Sequence, residues 1–184
     1  MSTILEPGQI EASAVTPPFL HLPPVNLFEL RALRLEHLVE GNALGDYLKL
    51  VARLCRIQQQ LVDNPPGGMP VAEERQRLCI SHGLPPLAAD SLVREGPWLV
   101  WLQALLQQLS GETSGPLGEA LQVLRGSDDE QRKGWGIALL AGQYDAVPAA
   151  LVPFLGAALQ AAWSSWLLAL PAPELKPAGS LAQC

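Results

Sequence analysis

Leu and Ala together fill 58 of the 184 positions in this chain, while Val and Ile fill only 16. Small and straight-chain residues lose little freedom inside a helix, whereas strands draw on β-branched side chains. A chain weighted this way has little from which to build a sheet, so the expected class is all-α. Its 17 Pro and 16 Gly interrupt helices and mark the joints between them. Apolar residues make up 48%, enough burial for one domain with tails.

Periodicity turns that class into a layout. Residues 1–24 form an extended arm, because Pro17-Pro18 and Pro23-Pro24 prevent a continuous helix; Phe19, Leu20 and Leu22 are expected to pin it to the body. A helical domain over 25–170 follows, a globular bundle of about seven helices. The first spans about 26–40, with Asn26 as N-cap, Gly41 as stop and Leu27, Leu30, Leu35 and Leu38 as its apolar series. The second, about 46–62, has the cleanest period: Tyr47, Leu48, Val51, Leu54, Cys55, Leu61 and Val62 share one face, and Asp46 caps the first turn. Further helices are expected over about 71–82, 97–109, 114–124, 128–141 and 153–170, with Ser114-Gly115-Pro116 opening the fifth and Asp128 and Asp129 at the start of the sixth. Trp98 and Trp101 are expected to face differently, leaving one exposed. Residues 171–184 read as a Pro/Ala/Gly-rich linker ending on a lone Cys184, which points to a fragment whose next domain starts there.

Charge narrows the function classes. Charged residues are 16%, below the roughly 25% of an average soluble domain, so a partner, another domain or a membrane is expected to cover part of the surface. A net charge of -6 argues against nucleic acid, whose binding rests on Lys and Arg neutralising phosphates. Three Cys without framework spacing suit a reducing compartment, and the first residues carry neither a basic nor an apolar leader region; the expected location is the cytoplasm. The uncharged segment 146–173 supports a second reading, a helical membrane-associated adapter. Pro148 and Pro153 shorten it and no Lys/Arg cluster flanks it, so a buried central helix is the leading expectation.

The candidate chemistry is sparse. Cys79 and His82 stand one helical turn apart, half of a metal site, but no second pair exists to complete four ligands. A Cys beside a His in a helix's last turn is the simpler reading. There is no Gly-x-Ser-x-Gly elbow, no dinucleotide fingerprint and no Gly-Lys-Ser/Thr phosphate loop. No catalytic residue is nominated, and a non-enzymatic role is expected. Lys49, Arg53 and Arg56 form a basic stripe on the second helix, opposite its apolar face, and such a stripe suits an acidic partner surface.

The stretch Glu40-Gly41-Asn42-Ala43-Leu44-Gly45-Asp46-Tyr47-Leu48 resembles the Asn-Pro-Leu-Gly-Asp-Tyr-Leu motif of the formate dehydrogenase accessory protein family, FdhE, with Ala43 in place of the usual Pro. In that family the motif follows a helix with paired Arg, as Arg31 and Arg34 stand here. Agreement continues at Arg94 and Trp98, at Ser114-Gly115-Pro116, and at Pro153-Phe154, Ala157-Ala158-Leu159 and Trp163. The resemblance covers nearly the whole chain and identifies it with the N-terminal helical region of such proteins.

That resemblance implies a cytoplasmic maturation factor whose partner is the formate dehydrogenase catalytic subunit, bound before export. It also implies a Cys-rich, rubredoxin-like region that binds iron, with Cys184 matching the first Cys of its first Cys-x-x-Cys pair. No cofactor is expected in the helical body, since one thiolate is not a coordination sphere. The expected client surface comprises the turn with Asn42, Leu44, Gly45, Asp46 and Tyr47, and the stripe of Lys49, Arg53 and Arg56.

Overall fold

A computed structural model describes residues 22–171. Residues 1–21 of the arm, with Phe19 and Leu20, and residues 172–184 of the linker, with Cys184, lie outside the described residues. Eight α-helices follow one another: α1 Leu27–His37, α2 Gly45–Asp63, α3 Glu73–Ser81, α4 Ala89–Glu95, α5 Leu99–Gln108, α6 Gly115–Gly126, α7 Asp129–Leu140 and α8 Val152–Leu168. Two single 3₁₀ turns, Tyr144–Ala146 and Ala149–Leu151, join the last two, and no strand occurs among the described residues. The all-α expectation holds.

The additional helix is α4, seven residues long between Pro85-Pro86 and Gly96-Pro97. Sequence periodicity overlooks it because it buries only Leu92 and Val93, too few positions to set a period. Gly96 ends it at φ 86, a left-handed conformation that side chains with a Cβ avoid.

Caps divide in an instructive way. Asp128 behaves as expected, its carboxylate accepting the Gln131 amide at 2.8 Å at the start of α7. Asn26 makes no side-chain cap, and Asp46 lies inside the first turn of α2, where Leu44 holds the N-cap position. Two arginines close helix C-termini instead. Arg125 donates to the carbonyls of Leu106 and Leu109 at the end of α5, and Arg132 to those of Leu124 and Arg125 at the end of α6.

The core is built on α8, which packs against α2, α5 and α7. By length and composition Ala149–Leu168 is apolar enough to cross a membrane, yet half of that window is buried inside the protein. Trp166 is buried there, edge-on to Trp101 at 6.4 Å between ring centres and an interplanar angle of 87°. Trp98 and Trp101 are both fully buried, which corrects the expectation that one is exposed. Residues three apart are neighbours on a helix face, so both indoles enter the same core.

α1 is held differently. It buries only Phe28 and Ala32, against eight buried residues in α8. Its leucines do not form the buried face expected of them: Leu30 and Leu38 are exposed, and Leu27 and Leu35 are half-buried. A fully buried Phe contributes about 1.5–3 kcal/mol, so α1 depends on polar ties to α2 as well. Gln59, buried in α2, supplies one end of them, accepting from the Glu29 amide at 3.2 Å and donating to the Val25 carbonyl at 2.8 Å.

Candidate functional site

Because Phe28 and Ala32 turn inward against Cys55, the leucines of α1 are left facing sideways. There α1, α2 and α8 border an open groove of about 750 Å³. Leu54 and Cys55 of α2 and Ala157 and Leu159 of α8 form its floor, with Leu27 and Leu30 as one wall. Leu140, at the end of α7, and Tyr144 close the far side. Leu30, Tyr47, Leu140 and Tyr144 are each about half exposed or more, so the groove presents apolar surface to solvent.

Arg31 and Arg34 are, among the described residues, the only charged ones in its lining. Among the described residues neither pairs with a carboxylate. Arg31 reaches Gln160 Oε1 at 3.4 Å, a long bond, and its guanidinium lies 5.6 Å from the Phe28 ring centre. Gln58 stiffens the floor, donating from Nε2 to the Ala157 carbonyl at 2.9 Å. Burial pushes the Cys55 thiol up from its ordinary value, with Arg31 pulling weakly the other way.

The structure places the expected site residues in three settings. Asn42 shapes the turn before α2, its Oδ1 accepting from the Leu44 amide at 2.9 Å and its carbonyl from Gly45 at 2.9 Å. Gly45 sits against the Val39 carbonyl, where an added Cβ would lie 3.3 Å from the oxygen, and Leu44 is exposed. Of this turn only Tyr47 lines the groove. Asp46 and Lys49 pair with each other at 3.0 Å on open surface.

Arg53 and Arg56 are engaged within the fold. Arg53 pairs with Glu112, beyond the end of α5. Arg56 makes a two-pronged bond to Glu36, with both distances 2.8 Å, and also reaches Glu29 at 3.1 Å. Those hydrogen bonds raise the Arg56 pKa further and hold the Glu36 carboxyl below its ordinary range. The stripe thus ties α1 and the α5 end to α2, while Arg31 and Arg34 on the groove side, like Arg75, Arg94 and Arg125 elsewhere, have no carboxylate partner among the described residues.

The remaining candidates stay apart. Cys79 is half-buried in the last turn of α3 and His82 is exposed just beyond it. No group of three His, Cys, Asp or Glu among the described residues is placed to hold a metal ion. The groove residues Tyr144, Leu140 and Gln160 were not nominated from sequence. For Gln160 one signal exists: Gly156 and Gln160 stand one turn apart in the largely apolar α8, and both line the groove.

A family model described as "FdhE, N-terminal" matches residues 16–180. The chain belongs to the FdhE family. It is 89% identical over 184 residues to an FdhE homolog of Pseudomonas putida, covering all of this chain and 58% of that protein. To an FdhE homolog of Pseudomonas aeruginosa it is 59% identical over 168 residues, covering 91% of this chain and 54% of the other. Escherichia coli FdhE is 32% identical over 155 residues, 84% of this chain and 50% of that one. The crystal structure of the FdhE protein from Pseudomonas aeruginosa superposes with a TM-score of 0.81 at 55% identity, over 88% of this chain and 57% of that chain. The all-α architecture is therefore that of FdhE, and the chain spans a little over half the length of its FdhE relatives.

Proposed function

We propose that this chain is the client-binding body of a formate dehydrogenase accessory protein, a non-enzymatic maturation factor that holds the catalytic subunit in the cytoplasm before export. Membership of the FdhE family supports the reading. The single observation that carries it for this body is the open apolar groove of about 750 Å³ bordered by α1, α2 and α8, a surface that suits another protein. The turn of Asn42, Leu44, Gly45, Asp46 and Tyr47 borders the client surface, with Lys49 beside it, while Arg53 and Arg56 hold the end of α5 and α1 against α2. Iron belongs, on this reading, to the Cys-rich region that Cys184 introduces.

The test is a pull-down of the 1–184 chain, shown by circular dichroism to be folded, against the immature catalytic subunit of a formate dehydrogenase from the same cell. Capture supports recognition by the helical body. No capture by the folded chain moves recognition to the Cys-rich region and overturns the proposal.

A further inference from the structure

Two features of the groove bear on what could occupy it. Arg31 and Arg34 stand three residues apart on the groove side of α1 with no carboxylate partner among the described residues, and of the five such cations there these two alone line the groove. Gly156 lies mid-helix in α8 on the groove floor, and a Cβ built on it would meet nothing within 4 Å. Glycine inside a helix costs about 1 kcal/mol relative to Ala, and among the described residues no neighbour requires the missing side chain.

We propose that the groove docks an acidic, apolar-faced peptide segment of the client, its apolar side chains lying over Gly156 and its carboxylates pairing with Arg31 and Arg34. The inference rests on the client-binding reading above and sharpens it to one surface and one ligand chemistry. Charge complementarity selects the occupant. Among the described residues the lining offers two cations and no anion, and Tyr47, Tyr144 and Gln160 add neutral polar groups at the edge. Guanidinium forks one helical turn apart match two carboxylates at the same spacing or clamp a single one. A basic segment would bring like charges together at this rim.

The experiment probes an array of overlapping peptides spanning the formate dehydrogenase catalytic subunit with the wild-type chain, an R31E/R34E variant and a Gly156→Leu variant. The last fills the floor with a better helix former and is expected to stay folded. The expected result is capture of segments that carry Asp or Glu among apolar residues, weakened about tenfold or more by either variant and by raised salt for the wild type. Capture of basic segments, or capture that both variants leave unchanged, overturns the inference. So does pull-down of the intact subunit with no peptide captured, a result that leaves the client-binding reading standing. Failure of the intact subunit to bind removes both. Co-sedimentation of the wild type with phosphatidylserine vesicles, lost in R31E/R34E, would overturn the peptide in favour of a lipid surface.

Discussion

Gln58 Nε2 donates to the Ala157 carbonyl at 2.9 Å, joining α2 to α8 across 99 positions of sequence and beneath the groove floor. The side chain is 2% exposed. Truncation by Gln58→Ala loses that bond and leaves a void, an expected loss of about 1–3 kcal/mol in urea unfolding. Gln58→Leu removes the bond but keeps most of the volume, so its cost is expected to be smaller. Equal losses from the two would mean that the hydrogen bond, not packing, supplies the stability.

Two glycines of α7 should respond to the same substitution with opposite signs. A Cβ on Gly136 would lie 2.8 Å from Cζ2 of the buried Trp98 and 3.3 Å from Val93, whereas one on Gly134 would meet nothing within 4 Å. Gly134→Ala is expected to stabilise by about 0.5–1 kcal/mol through helix propensity alone. Gly136→Ala gains the same term but displaces an indole held by its bond to the Val93 carbonyl, and overpacking of this kind costs about 1–3 kcal/mol. Thermal midpoints moving apart, one up and one down, are the expected outcome.

Acid should loosen the α1–α2 pair through Glu36. Its hydrogen bonds from Arg56, followed by the guanidinium charge, hold the carboxyl below the ordinary value of 4.5. The unfolded chain then takes up this proton at a higher pH than the folded one. The contribution is therefore fully present above about 4.5 and is lost as pH falls through the depressed folded value. Arg56 stays protonated throughout. Urea midpoints measured from pH 7 to pH 3 should fall in acid, with a shallower decline in Arg56→Gln; parallel curves would exclude the pair as a cause.

Alkylation should separate the cysteines. Cys55 is buried and its thiol is pushed above the ordinary value of 9.0, so little thiolate forms near neutrality. Cys79 is half-exposed. Brief iodoacetamide treatment at pH 7.5, followed by peptide mapping, should label Cys79 well before Cys55 in the native chain and label both after unfolding. Early labelling of Cys55 in the native chain would mean that α1 leaves α2 readily.

The features legible in sequence are those set by neighbours along the chain. The Asp128 cap, the break at Gly83 with φ 65, and the burial of α8 each follow from residues a few positions apart. Where local signals compete, local reading falls short. α4 is too short to show a period, and Asn26 has cap chemistry without forming a cap. The leucines of α1 carry helical spacing, yet Phe28 and Ala32 take the buried side because they meet Cys55 on α2.

Composition and periodicity alone determine that this chain is all-α, with Leu and Ala in place of β-branched residues and Pro and Gly at the joints. The pairing of charges was decided only by the tertiary structure. Arg56 finds Glu36 and Glu29, and Arg53 finds Glu112, at separations of 20 to 59 residues, while Arg31 and Arg34 are left facing a groove that α8, over a hundred residues on, also borders. Helix propensity acts over a few residues, but the partner of a charge, and whether it has one, depends on which helices pack together.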